Sequence, residues 1–195
     1  MAKNKKPFIA FSNSMNLDDT LRHHDLERGI IRFTSYIDEC TVADVSMESA
    51  EILEMGCKKI TLHITSPGGG VCSSFAIYDM FKKLSKDGIK IEAIAAGYAA
   101  SAAAAIILQA ANKRMCYPST RFLLHEVSAW GEGMQKTSAL KDEAKEVDTE
   151  NEMINKILAS RCNKSIKEIR QLVNRKEIWM SAKEALKFGL IDKII

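Results

Sequence analysis

The chain has 195 residues, 46% of them hydrophobic and 27% charged, the size and balance of one globular domain with a true core rather than of a disordered or fibrous chain. Its 28 basic and 25 acidic residues are mixed along the sequence and leave a net charge of +3, which singles out neither nucleic acid nor an anionic membrane as a partner. The five cysteines, Cys40, Cys57, Cys72, Cys116 and Cys162, are scattered with no C-x-x-C pair, which argues against a structural zinc or dithiol site and fits a reducing cytoplasm.

No apolar signal-like run opens the sequence. The basic cluster from Met1 to Lys6 is expected to be a frayed, solubilising tail, and residues 1–28 a partly ordered segment ahead of one domain at 29–195. Ile30-Ile-Arg-Phe-Thr34 predicts a strand, and Thr41-Val-Ala-Asp44 the capped start of a helix that stops near Gly56. Ile60-Thr-Leu-His-Ile64 predicts a second strand, Ser66-Pro-Gly-Gly-Gly70 a tight turn, and residues 71–84 a helix with Val71, Phe75, Tyr78, Phe81 and Leu84 near one face. A strand follows from Ile89 to Ile94. Gly97 then offers a turn, and the alanine-rich run after Ser101 predicts a helix.

Residues 93–111 carry no charge, but alanine gains little from lipid and the run holds Gly97, Tyr98, Ser101 and Gln109. Buried strand, turn and helix is therefore expected rather than a membrane span. Short strands are predicted at 114–117 and 120–124, and strands alternating with helices imply an α/β domain with a largely parallel sheet. From 138 to 162 there is neither Gly nor Pro, and Leu140, Ala144, Val147, Asn151, Ile154 and Leu158 recur at helical spacing. That helix is longer than a domain of this size needs for one edge, which suits contact with another subunit as well as packing along its own domain. Ser165-Ile-Lys-Glu168 and Ser181-Ala-Lys-Glu184 are capping boxes, so their serines are structural, and the second helix should stop at Gly189.

A hydroxyl becomes a nucleophile when a base takes its proton, and acyl transfer needs backbone N–H groups aimed at the oxyanion. Ser101 stands between a strand and a helix start, where free N–H groups favour negative charge; alone it would be an N-cap. His125 ends the apolar run Phe122-Leu-Leu124, which puts it at the carboxyl edge of a neighbouring strand, on the side where the strand before Ser101 ends. The glycines of Ser66-Pro-Gly-Gly-Gly70 allow a backbone to approach a substrate. Neither the P-loop pattern nor the G-x-S-x-G elbow is present. No ligand cluster points to a metal, and no cofactor is expected.

The ordered set Thr65-Ser-Pro-Gly-Gly69, Ala76-Ile-Tyr-Asp79, Gly97-Tyr-Ala-Ala-Ser101, Lys113-Arg-Met-Cys-Tyr-Pro118 and Arg121-Phe-Leu-Leu-His125, with Trp179-Met-Ser-Ala182 and Gly189-Leu-Ile-Asp192 behind it, resembles the proteolytic subunits of the Clp proteases over residues 28–195. The resemblance implies a crotonase-like (ClpP-type) α/β fold, serine endopeptidase activity on peptides and unfolded proteins, and a homo-oligomeric ring, in the family a double heptamer. By position it implies Ser101 as nucleophile, His125 as base, the N–H groups of Gly69 and Ala102 as oxyanion hole, and the long helix at 138–162 as the projecting handle between rings.

Three departures stand out. Glu177 occupies the place of the family's catalytic Asp, after Arg175 and Lys176 where the family has an acidic-then-basic pair. His125-Glu-Val127 replaces His-Gln-Pro. Residues 13–28 lack most of the axial-loop pattern, which leaves an AAA+ unfoldase partner open. The competing readings are a catalytically silent ring subunit, a crotonase-type acyl-CoA enzyme, and a Ser–Lys peptidase of the signal-peptide-peptidase kind.

Overall fold

A computed structural model describes residues 17–128 and 136–195; the basic cluster Met1 to Lys6 lies outside them. In chain order the elements are α1 (Leu17–Glu27), β1 (Ile30–Phe33), α2 (Glu39–Glu54), β2 (Lys59–Ser66), α3 (Val71–Lys86), β3 (Lys90–Ala100), a π-helical turn (Ala103–Ile107) running into α4 (Leu108–Ala110), β4 (Lys113–Cys116), β5 (Arg121–Leu124), α5 (Thr137–Cys162), α6 (Ile166–Val173), β6 (Ile178–Ser181), α7 (Ala182–Phe188) and β7 (Lys193–Ile194).

The sheet runs β1-β2-β3-β4-β7 with every pair parallel. β5 joins the far end of β3, also parallel, and β6 pairs with β5 antiparallel. Alternation sets the faces: Ile60, Leu62 and Ile64 of β2 and Ile91, Ala93 and Ala95 of β3 are buried, with Ile52 of α2 and Ile77 and Phe81 of α3 in the same core. The opposite side of these strands carries Lys59, His63 and Glu92. Residues 102–111 are buried without exception, which accounts for their membrane-like hydropathy: small alanines let the helix lie deep in the core. Among the described residues no helix is long and apolar enough to cross a membrane.

Several predicted boundaries move. α2 begins at Glu39, not after Thr41, because Asp38 is the cap: its carboxylate accepts the Thr41 N–H while the Thr41 hydroxyl accepts the Asp38 N–H. Both predicted capping boxes are formed, at Ser165 with Glu168 and at Ser181 with Glu184, and Gly189 ends α7 in the left-handed region at φ 89°. β3 extends well past Ile94, because Gly97, at φ 67°, kinks the strand instead of ending it.

Beneath the sheet lies a buried polar cluster that ties together two motifs far apart in sequence. Arg114, 5% exposed, holds the Asp192 carboxylate through its guanidinium, and the Arg114 backbone N–H donates to the same carboxylate at 2.7 Å. Gln109 Oε1 accepts a further guanidinium N–H at 2.7 Å. Burial pushes the Asp192 carboxyl up, but the bonds from Arg114 and the charges of Arg114 and Arg161 together outweigh it, so the net displacement is downward. A lowered carboxyl contributes stability above its unfolded value and loses it as pH falls through the folded one. Asp192→Asn should therefore cost about 2–3 kcal/mol at neutral pH, less than a fully buried pair because the Asp192 side chain is 37% exposed. Urea denaturation at pH 7 and below pH about 4 checks it: the difference between the proteins should shrink on the acid side.

Candidate active site

The site begins at the kink in β3. Up to Ile64↔Ala95 the strands β2 and β3 stay in step; the next partners are Ser66↔Ala99, so β3 takes two more residues than β2 over this stretch. The slack turns the end of β3 toward a new neighbour, and Tyr98–Ala100 pair with Arg121–Leu123 of β5. Ser101 follows at once. Its N–H donates to the Leu123 carbonyl at 2.9 Å, and its backbone is left-handed at φ 52°. A non-glycine residue held there stores on the order of 1–2 kcal/mol of strain. The sharp turn that the sequence reading places at Gly97 is thus made by the serine itself, and the helix starts at the next residue.

In the helix that follows, the Ser101 carbonyl accepts the N–H groups of Ala104 at 3.0 Å and Ala105 at 2.9 Å, and a π turn over Ala103–Ile107 is closed by the Leu108 N–H on the Ala103 carbonyl. Such turns concentrate at functional sites. The glycine turn lies against it. Gly68 has φ 98°, and a Cβ there would stand 2.8 Å from Ser101 Cβ and 2.9 Å from Ala102 N, so only glycine fits. Gly69 is packed as tightly on Ile37, whose N–H donates to the Gly68 carbonyl at 2.9 Å and whose carbonyl accepts the Gly70 N–H at 2.8 Å. Among the described residues no turn or cap bond takes the Gly69 N–H or the Ala102 N–H.

His125, half-buried, is the first residue after β5, two positions beyond the Leu123 whose carbonyl anchors Ser101. Ser101, Ala102, His125 and Gly69 line one pocket of about 190 Å³, with Tyr36 and Ile154 among its apolar walls. Ser101 and His125 are not hydrogen-bonded to each other; such contacts often tighten only when substrate is bound. The β5–β6 ladder ends at Leu124↔Ile178, and His125 and Glu177 are the residues just beyond that last pair. Glu177 is exposed, does not line the pocket, and has no partner among the described residues.

The structure adds a contact that sequence reasoning misses: Glu126 Oε2 accepts the Arg175 backbone N–H at 2.9 Å. A sequence signal does exist, since Glu126 is one of the departures noted above, but its partner lies 49 residues away. Among the described residues no group of three or more His, Cys, Asp or Glu is placed to hold a metal ion.

A serine on a left-handed turn, an imidazole on the same pocket wall and two N–H donors without a turn or cap partner among the described residues form the equipment of acyl transfer. Comparison with known proteins narrows the class. The family model described as Clp protease matches residues 16–195, and the chain belongs to that family. It is 37% identical over 137 residues to "ATP-dependent Clp protease proteolytic subunit 3" of Rhizobium etli, covering 70% of this chain and 68% of that protein. It is 33% identical over 162 residues to proteolytic subunit 1 of Tropheryma whipplei, with 82% and 76% covered. It is 32% identical over 172 residues to proteolytic subunit 1 of Corynebacterium diphtheriae, with 86% and 79% covered.

Proposed function

We propose that the chain is a serine-type endopeptidase subunit, with Ser101 as nucleophile, His125 as general base, Glu177 as the carboxylate that orients His125, and the Gly69 and Ala102 N–H groups as oxyanion hole. The observation that carries this reading is the common pocket of Ser101 and His125, lined also by Gly69 and Ala102, whose N–H groups have no turn or cap partner among the described residues. In the reaction, His125 takes the Ser101 hydroxyl proton as Oγ bonds to the scissile carbonyl carbon, and the oxyanion draws on the two N–H groups. His125 then gives the proton to the leaving amine, and water repeats the sequence on the acyl-enzyme. A fluorophosphonate probe tests it: the purified protein should be labelled at Ser101, as mapped by mass spectrometry, and labelling elsewhere, or none, rejects the reading.

The relatives are named as proteolytic subunits of ATP-dependent proteases, while this chain has no P-loop. Any coupling to ATP would come from a separate unfoldase, and a cytoplasmic setting suits that arrangement. Assembly into a ring is supported by α5, 26 residues and about 39 Å long, whose buried residues Asn155, Leu158, Ala159 and Cys162 all lie in its last third. Its earlier turns leave Leu140 and Met153 exposed, as a lone subunit would not favour. Light scattering should report a mass many times that of one chain; a monomer at micromolar concentration would reject the ring.

One observation favours the second reading, a catalytically silent ring subunit: among the described residues Glu177 makes no hydrogen bond or ion pair with His125. Labelling at Ser101 decides between the two.

A further inference from the structure

We propose that Glu126 is a positioning residue for the catalytic acid: by accepting the Arg175 N–H, its carboxylate holds the segment that carries Glu177 in register with His125. This rests on the peptidase reading above. The antiparallel ladder that aligns β5 with β6 ends at Leu124↔Ile178, one residue short of His125 and Glu177. Past that point both chains leave the sheet, and among the described residues the bond between Glu126 and Arg175 is the one hydrogen bond between segments 125–128 and 174–177.

The two segments are unequal partners. Segment 125–128 is anchored on both sides, by the ladder at Leu124 and by the Val127 N–H, which donates to Asn151 Oδ1 of α5 at 2.9 Å. Segment 174–177 is a tight reversal after α6: Lys176 N–H donates to the Val173 carbonyl at 3.0 Å, and Arg175 sits in the left-handed region at φ 54°. That reversal leaves the Arg175 N–H unspent, and Glu126 takes it. Glu126 lines the Ser101 pocket and also the larger cleft, about 740 Å³, between α5 and α6, so its carboxylate spans from the nucleophile's side to the loop. Catalytic geometry tolerates little displacement, and an error of about 1 Å can cost on the order of 10²-fold in rate. Without that bond, segment 174–177 would be tied to β5 only through the ladder that ends at Leu124↔Ile178, and the Glu177 carboxylate would be less well placed.

The experiment uses the full chain with Glu126→Ala, Glu126→Gln, Glu177→Gln and the double variant Glu126→Ala/Glu177→Gln. Hydrolysis of a fluorogenic peptide gives kcat and KM, and hydrogen exchange follows the Arg175 amide. Glu126→Ala should lower kcat about 10–100-fold with KM little moved, and Arg175 should lose protection. Glu126→Gln should keep most of both, because its amide oxygen accepts the same N–H. In the Glu177→Gln background the alanine should cost little more, since a misplaced acid matters only while the acid works. Full activity in Glu126→Ala, a loss in Glu126→Gln as deep as in the alanine variant, or additive losses in the double variant would each overturn the proposal. A wild-type chain with neither peptide hydrolysis nor probe labelling would instead overturn the peptidase reading, and the positioning role with it.

Discussion

Replacing Ser101 by alanine is expected to abolish fluorophosphonate labelling and to lower peptide hydrolysis by on the order of 10⁶-fold, the scale on which loss of the nucleophile acts in serine hydrolases. The expectation follows from what the turn spends its groups on. The Ser101 N–H and carbonyl are engaged, with Leu123 and with Ala104 and Ala105, so the backbone is fixed by bonds that alanine keeps. The hydroxyl makes no hydrogen bond among the described residues. Alanine tolerates φ 52° about as poorly as serine does, so the strain is unchanged and denaturation midpoints should move little. Far-ultraviolet circular dichroism of the variant should match that of the wild type. Labelling that survives in Ser101→Ala would remove the serine from the chemistry, and an unfolded variant would give the hydroxyl a structural role instead.

The parts of this molecule legible in the sequence are those fixed by local rules. The α5 helix follows from a run without Gly or Pro, and the boxes at Ser165 and Ser181 follow because both partners lie within four residues. The start of α2 misleads for a local reason as well: Thr41-Val-Ala-Asp44 reads as the capped start, whereas in the fold Thr41 is the third helical residue of a box capped by Asp38. α1 is short and half-exposed, with Leu26 its buried anchor, so its periodicity is weak. β6 and β7, of four and two residues, owe their existence to the partner strands β5 and β4.

Gly97 shows the limit most sharply. A glycine after a strand signals positive φ but does not say whether the chain turns or kinks there. The answer depends on β5 being available to pair with the second half of β3, which is a property of the whole sheet. The candidate site divides the same way. Ser101 and His125 are readable as strand ends on one side of a parallel sheet. The fit of Gly68 against Ser101 and the bond from Arg175 to Glu126 join residues more than 30 apart and become visible only in three dimensions.

Glu177→Gln is expected to lower kcat by about 10³–10⁴-fold, with Glu177→Asp retaining activity or gaining it. In the triad template the carboxylate keeps the imidazole tautomer that accepts the serine proton, and exchanging it for an isosteric amide costs about 10⁴-fold. The β5–β6 ladder ends at Leu124↔Ile178, one residue short of His125 and Glu177, so the two side chains leave neighbouring strand ends. Aspartate, one methylene shorter, holds a tighter geometry against the ring, whereas glutamate samples more rotamers and holds a looser one. Glu177 is also exposed and has no cationic partner among the described residues, so nothing there competes with His125 for it. Steady-state hydrolysis of one peptide by the wild type, Glu177→Gln and Glu177→Asp measures the effect. If Glu177→Gln keeps full activity, the acid lies elsewhere or the site works as a Ser101–His125 dyad. Glu126 is the carboxylate among the residues lining the pocket, but one of its oxygens is taken by Arg175, and it directly follows His125 in the chain. Retained activity in Glu177→Gln would therefore favour the dyad over a simple exchange of one carboxylate for the other.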